Sequence, residues 1–184
     1  MYLKQEKLSI RAAATQDAAM LCQWWNDGKV MDHAGFPHGI GTNVEKVAAS
    51  IKDDNELSRR LILDYDKTPI GEMNYRTTTA GVAEIGIKIC DFDYQNQGYG
   101  TTYLSMLINY LFKKKSYAKI ILDTNMKNKR AQHVYEKLGF KKTRTIIDKW
   151  KNQVGELQSA IEYELTADSF LAEQRKASSI ADDE

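Results

Sequence analysis

Isoleucines at 85, 87 and 89 alternate with Glu84, Gly86 and Lys88, the period-two pattern of a strand with one buried face. Tyr103, Leu104, Leu107, Ile108, Leu111 and Phe112 then recur at helical spacing, which predicts an amphipathic helix. Between the two lies a polar loop, Asp91 to Gln97, closing in Gly98-Tyr99-Gly100. Upstream, Leu8 to Arg11 reads as a first strand. Thr15 is placed to cap a helix whose apolar side is Ala18, Ala19, Leu21, Cys22, Trp24 and Trp25, ended by Asn26-Asp27-Gly28. Asn43 is placed to cap a second helix, Val44 to Ile51. Arg60 to Tyr65 and Ile70 to Tyr75 read as strands joined by a turn at Asp66-Lys67-Thr68-Pro69. Lys119 to Asp123 reads as another strand, Asn128 to Gly139 as a short helix, and Lys142 to Ile147 with Glu156 to Leu165 as a final hairpin. Alternating strand and helix periods predict one α/β domain, a mixed twisted central sheet with helices on both faces.

The apolar density falls after Thr166, so the expected division is a domain over residues 1–166 and a polar tail over 167–184, frayed from Ser178 onward. A net charge of +1 argues against a general electrostatic grip on nucleic acid. No apolar run approaches the roughly 20 residues needed to span a membrane. Cys22 and Cys90 lie far apart without metal spacing, which suits reduced thiols and a cytoplasmic location. His33, His38 and His133 show no zinc pattern, so no metal is expected.

Strand, glycine loop and helix together can build an anion site. The first turn of a helix leaves N–H groups unpaired, and the macrodipole adds partial positive charge there. Glycines let the backbone approach a phosphate with no Cβ in the way. A Walker loop would end in Gly-Lys-Ser/Thr, whereas Gly100-Thr101-Thr102 has no lysine. A dinucleotide fingerprint would place a third glycine where Tyr103 stands. What remains is Gln-x-x-Gly-x-Gly, here Gln95-Asn96-Gln97-Gly98-Tyr99-Gly100.

Thirty residues on comes Asn128-Lys129-Arg130-Ala131-Gln132-His133-Val134-Tyr135-Glu136-Lys137-Leu138-Gly139-Phe140. Asn128 suits an N-cap, Ala131, Val134, Tyr135 and Leu138 share one helix face, and Gly139 suits a left-handed C-terminal position. The two segments resemble the pyrophosphate loop and the Asn-x-x-Ala-x-x-x-Tyr-x-x-x-Gly-Phe signature of the GNAT superfamily of N-acetyltransferases. The resemblance covers roughly Arg59 to Leu165, and the RimJ/RimL-like and polyamine acetyltransferases are the most similar subgroup. It implies the GNAT fold and transfer of acetyl from acetyl-CoA to a primary amine, on a small molecule such as a polyamine or aminoglycoside, or on a protein N-terminus. A homodimer is compatible with it. The alternative from another class is a non-catalytic module that senses acyl-CoA.

An alkylammonium has a pKa of about 10.4, so only about one in a thousand is a free nucleophile at neutral pH. The site must remove a proton, polarise a thioester carbonyl and protonate a thiolate. Tyr135 matches the family tyrosine that protonates the coenzyme A thiolate. Glu84, the one carboxylate within the central strand, is the expected base, acting directly or through water. The backbone along Ile87, Lys88 and Ile89 is expected to meet the thioester and pantetheine arm, with the N–H of Ile87 or Ile89 on the carbonyl. Gln95, Asn96, Gln97, Gly98, Tyr99, Gly100 and Thr101 are expected around the pyrophosphate, and Asn128 on the pantetheine. Relatives commonly read Gln-Gly-Lys-Gly where this chain has Gln95-Asn96-Gln97-Gly98, so the loop lacks their lysine. The glycine-rich loop Met31 to Gly41, holding His33 and His38, is expected to wall the acceptor pocket; a plain connection is the other reading.

Overall fold

The computed structural model describes residues 1–172. Its strands are β1 (Tyr2–Gln5), β2 (Leu8–Ala12), β3 (Ser58–Tyr65), β4 (Thr68–Thr79), β5 (Val82–Ile89), β6 (Lys119–Asn125), β7 (Lys141–Lys151) and β8 (Leu157–Thr166). Its helices are α1 (Ala18–Asn26), α2 (Gly28–Met31), α3 (Val44–Lys52), α4 (Tyr99–Lys113) and α5 (Lys129–Lys137). The strands form one sheet in the order β1-β2-β3-β4-β5-β6-β8-β7. Neighbours are antiparallel except β5 and β6. That parallel pair needs a long crossover, and α4 supplies it. The mixed sheet matches the one read from the sequence periods.

Alternation along β3 distributes its side chains between two layers. Leu61 and Leu63 enter the core under α4, while Ile62 packs on the opposite face with Leu21 of α1 and Val47 of α3. The apolar stripe of α4 is fully used: Leu104, Leu107, Ile108 and Leu111 are almost wholly buried. Each such side chain contributes roughly 1.5–3 kcal/mol on burial. Tyr103 joins them and donates its hydroxyl to the Asp64 carbonyl at 2.6 Å, tying the helix to β3.

One join in the sheet decides where a ligand can enter. β5 and β6 pair only at Val82 with Lys119, Ala83 with Ile120, and Glu84 with Ile121. Beyond that point β5 stays zipped to β4 as far as Ile89, and β6 stays zipped to β8 as far as Asn125. The two strands therefore part like a V. α4 starts at its open end.

Several local readings are revised. β1 has only four residues, partly or fully exposed, too short and polar for a period-two pattern to reveal. Thr15 makes no cap; the Asp17 carboxylate accepts from the Ala14 N–H at 2.8 Å instead and also holds Arg11. The first helix is followed by a second short one, α2, capped by Asp27, which accepts from the Lys29 N–H at 2.8 Å. Asn43 does cap α3, accepting from the Lys46 N–H at 2.9 Å. The expected polar tail opens with packed residues. Ala167 N–H donates to the Ala118 carbonyl at 2.9 Å, and buried Phe170 meets Phe112 at 5.4 Å between ring centres. The frayed stretch expected from Ser178 lies outside the described residues.

Candidate active site

The V opens into a cavity of about 750 Å³. One side is the glycine loop and the start of α4. Gly98 takes a left-handed φ of 82°, which turns the chain into the helix. Asn96, with φ of 60°, adopts the left-handed geometry that asparagine tolerates better than most. The N–H groups of Asn96, Gln97 and Gly98, and of Tyr99 and Gly100 in the first turn, meet no acceptor among the described residues. A Cβ built on Gly98 or Gly100 would meet nothing within 4 Å. Open space beside unpaired N–H groups at a helix start is a cradle for phosphate oxygens.

Gln95, Asn96, Gly98, Tyr99, Gly100 and Thr101 all line this cavity. Gln97 does not; its amide turns back to the Asp93 carbonyl. The Gln95 amide donates to the Ile89 carbonyl at 2.9 Å, pinning the loop to the end of β5. A residue that the sequence reading left without a role completes the loop. Arg130, in the first turn of α5, donates from Nη1 to Gln95 Oε1 at 3.0 Å and to Asn96 Oδ1 at 3.1 Å. Its guanidinium puts a positive charge at the loop that lacks a lysine.

Across the V, Asn128 caps α5 by accepting from the Ala131 N–H at 3.1 Å, and it lines the cavity. Tyr135 lies about two turns deeper on the same helix, packed edge-on to Tyr163 at 5.8 Å. The ring is buried and still reaches the cavity wall. Its hydroxyl has no hydrogen-bond partner among the described residues. Burial, then the negative charge of Asp123 and the nearby Tyr163, push the phenol up to about 12. Ile87, Lys88 and Ile89 line the wall between these groups, past the last β5–β6 pair.

The far side of the cavity is formed by Lys29, Val30, His33 and Ala34 on the α1–α3 connection, with Asp123 of β6 and Lys149 and Trp150 of β7. His33 is therefore on the wall, and His38 is not. His38 belongs to a clasp that fixes the wall from outside. Gln153, in the β7–β8 turn, accepts from the His38 N–H at 2.9 Å and donates to the Gly39 carbonyl at 2.9 Å. Its own N–H donates to the Gly35 carbonyl at 2.8 Å. Gly28 lets this loop close down, since a Cβ there would sit 2.0 Å from the Pro37 carbonyl oxygen.

A phosphate cradle, an unpartnered phenol and an open strand edge in one cavity are what an acyl transfer from a nucleotide-borne thioester requires. The family comparison agrees: residues 7–141 match the model of the acetyltransferase (GNAT) domain. The chain belongs to the GNAT acetyltransferase family. It is an N-acetyltransferase by family, with acetyl-CoA as co-substrate. Solved structures share the fold at low identity. The spermidine N-acetyltransferase of Vibrio cholerae, in complex with CoA and spermine, is 22% identical with a TM-score of 0.79, over 91% of this chain and 99% of that one. RimL, the ribosomal L7/L12 alpha-N-protein acetyltransferase in complex with coenzyme A, is 14% identical with a TM-score of 0.81, over 92% and 99%. A GNAT-family acetyltransferase from Bacillus anthracis is 21% identical with a TM-score of 0.75, over 91% and 99%.

Among the residues expected at the GNAT site, Glu84 stands apart. It sits at the closed end of the V, opposite Ile121, and does not line the cavity. Its Oε2 accepts from Arg76 Nη2 at 2.7 Å and Nε at 3.1 Å, on the partly exposed surface of the sheet. Contact between this carboxylate and an amine in the cavity would need a water chain. Cys90 is buried against Val30 and Met31, with burial and the nearby Glu72 pushing its thiol well above the ordinary range. That is the state of an inert core thiol. The described residues contain no group of three or more His, Cys, Asp or Glu able to hold a metal, and no helix long and apolar enough to cross a membrane.

Proposed function

We propose that the chain transfers the acetyl group of acetyl-CoA directly to a primary amine, with no covalent enzyme intermediate. The observation that carries this reading is the unpartnered hydroxyl of buried Tyr135, facing the same cavity as the free N–H groups of the α4 start. In this reading Gly98, Tyr99 and Gly100 donate to the pyrophosphate, Arg130 supplies the charge, and the side-chain NH2 of Asn128, whose oxygen caps α5, donates to the pantetheine arm. The N–H groups along the open edge of β5, at Ile87 or Ile89, donate to the thioester carbonyl.

The amine enters from the side of His33 and Trp150. The ammonium gives up one proton to solvent to become the nucleophile; its nitrogen then forms the new bond to the acetyl carbon, the carbon–sulfur bond breaks, and the nitrogen loses a second proton. His33 and Asp123 line the cavity and are the nearer acceptors for that proton than Glu84. Tyr135 hydrogen-bonds the departing sulfur and delivers a proton to it, then regains one from solvent. Burial pushes the phenol up to about 12, so it is a weaker acid than an ordinary thiol. A full handover before the amine proton is released is therefore unfavourable, and the two proton movements are coupled in this reading.

Vibrio cholerae spermidine acetyltransferase and RimL act, by their names, on a polyamine and on a protein N-terminus; both are amines, which supports the acceptor type. The test is release of free thiol from acetyl-CoA against a panel of amines and peptides, with a control lacking acceptor. Acceptor-dependent release is expected. Tight acetyl-CoA binding without it across the panel would assign the chain to cofactor sensing instead.

A further inference from the structure

Charge is distributed unevenly around the acceptor half of the cavity. On the α2 and β5 side, Lys29 and Lys88 form the wall. Among the described residues, no carboxylate stands within ion-pair distance of Lys29. Lys88 shares a single carboxylate with another cation: Glu72 Oε1 lies 3.4 Å from Lys88 Nζ, and its Oε2 lies 3.2 Å from Arg60 Nη1. Glu72 is buried behind the wall and does not line the cavity. Two cations against one hidden carboxylate leave this side positive.

On the β6 side the charges that line the cavity balance. Lys149 Nζ is 2.8 Å from Asp123 Oδ2 and 3.5 Å from Glu162 Oε1, one cation between two carboxylates. Asp123 is the single carboxylate among the described residues that line the cavity, and Tyr135 lines the same region. The cavity is thus cationic at one end and charge-balanced beside the phenol, where Asp123, paired with Lys149, is the carboxylate an ammonium can reach.

We infer that the acceptor is zwitterionic: a small primary amine that also carries a carboxylate or a phosphate. Its ammonium is drawn toward Asp123 and Tyr135, where the transfer occurs, and its anionic group faces Lys29 and Lys88. This inference rests on the transferase reading above. A polyamine would place its second ammonium against the lysine wall, a like-charge contact that selects against it. Unit charges a few ångströms apart near a protein surface change affinity by about tenfold or more.

The experiment uses the full chain with saturating acetyl-CoA and four acceptors of matched length: an alkylamine, an ω-aminocarboxylate, an ω-aminoalkyl phosphate and a diamine. One of the two anionic acceptors is expected to exceed the alkylamine about tenfold in kcat/KM, with the diamine lowest. Which anion leads separates carboxylate from phosphate recognition. Lys29→Glu should bring the ratio of anionic acceptor to alkylamine to one or below and raise the diamine, and Lys29→Arg should retain the ratio. A diamine that leads in the unaltered protein, or a ratio that Lys29→Glu does not move, overturns the inference and leaves the transferase reading standing. No thiol release with any of the four, while the wider amine and peptide panel gives acceptor-dependent release, overturns this inference alone; no release across that panel either, with acetyl-CoA bound by calorimetry, removes the transferase reading as well.

Discussion

Arg130 lies 35 residues beyond Gln95 in sequence and 3.0 Å from it in the fold, its guanidinium laid across the side-chain oxygens of Gln95 and Asn96. The contact orders the loop and leaves a charge where the cofactor phosphates would sit. Arg130→Gln should therefore raise KM for acetyl-CoA by about tenfold, the loss of one charge-assisted hydrogen bond of roughly 1.5 kcal/mol. At saturating acetyl-CoA, kcat should change much less. Steady-state kinetics with the cofactor varied check both parts.

Gly98 is a poor probe of the phosphate cradle, because its φ of 82° strains any other residue. Gly100 is a cleaner one. It has no positive φ and faces open space. Gly100→Val should fold normally and lose at least about tenfold in acetyl-CoA affinity, or roughly 1.4 kcal/mol. Calorimetric titration of a variant with an unaltered melting profile makes the comparison; equal affinity would move the phosphate elsewhere.

Tyr135→Phe removes one oxygen from a ring held by Tyr163 and Phe140. Packing should survive, and the single-turnover rate should fall by roughly 10²–10⁴-fold. Since burial pushes the phenol up to about 12, the unaltered protein should show no alkaline loss of rate from this group through about pH 10, where an ordinary tyrosine would titrate.

Glu84→Gln should leave the acidic limb of the rate profile in place, because the carboxylate is engaged with Arg76 outside the cavity. Stability should change by less than about 1 kcal/mol, as for other partly exposed pairs. A lost acidic limb would restore Glu84 as the base through a water chain. The same profile measured on Asp123→Asn and His33→Gln tests the two nearer groups.

Alkaline stability follows from the buried phenols. Tyr135 and Tyr163 are raised from 10.0 to about 12, the first by burial ahead of Asp123, the second by burial ahead of its bond to Glu136. The folded state holds these protons more tightly than the unfolded chain. Their contribution is intact below pH 10 and is lost as the pH climbs through about 12. Denaturant midpoints measured across that window should fall, in step with phenolate absorbance.

What could be read from the sequence was local. Ile85, Ile87 and Ile89 announce β5 by their alternation, Asn43 and Asn128 announce helix starts by their chemistry, and the spacing of Gly98, Gly100 and Tyr135 carries the family. Contacts between distant segments had no such signature. The reach of Arg130 to Gln95 depends on how α5 docks. The pairing of Glu84 with Arg76 depends on the β4–β5 register, so the local pattern of β5 gives no sign that its one carboxylate does not line the cavity. Gln153 and His38 are 115 residues apart, and nothing in either neighbourhood points to the other. β1 has no local signature because four mostly exposed residues make a strand only when β2 is there to pair with them.

The short join between β5 and β6 has a mechanical consequence. With three residue pairs between them, the strands on either side form two plates on a narrow hinge, and the gap beyond the hinge is one strand wide at its root. A long polar ligand lying in that gap would act as a splint between the plates. Its arrival would stiffen the domain across its middle, so amide exchange should slow along Gly86 to Ile89 and along Leu122 to Asn125 together, on both lips at once.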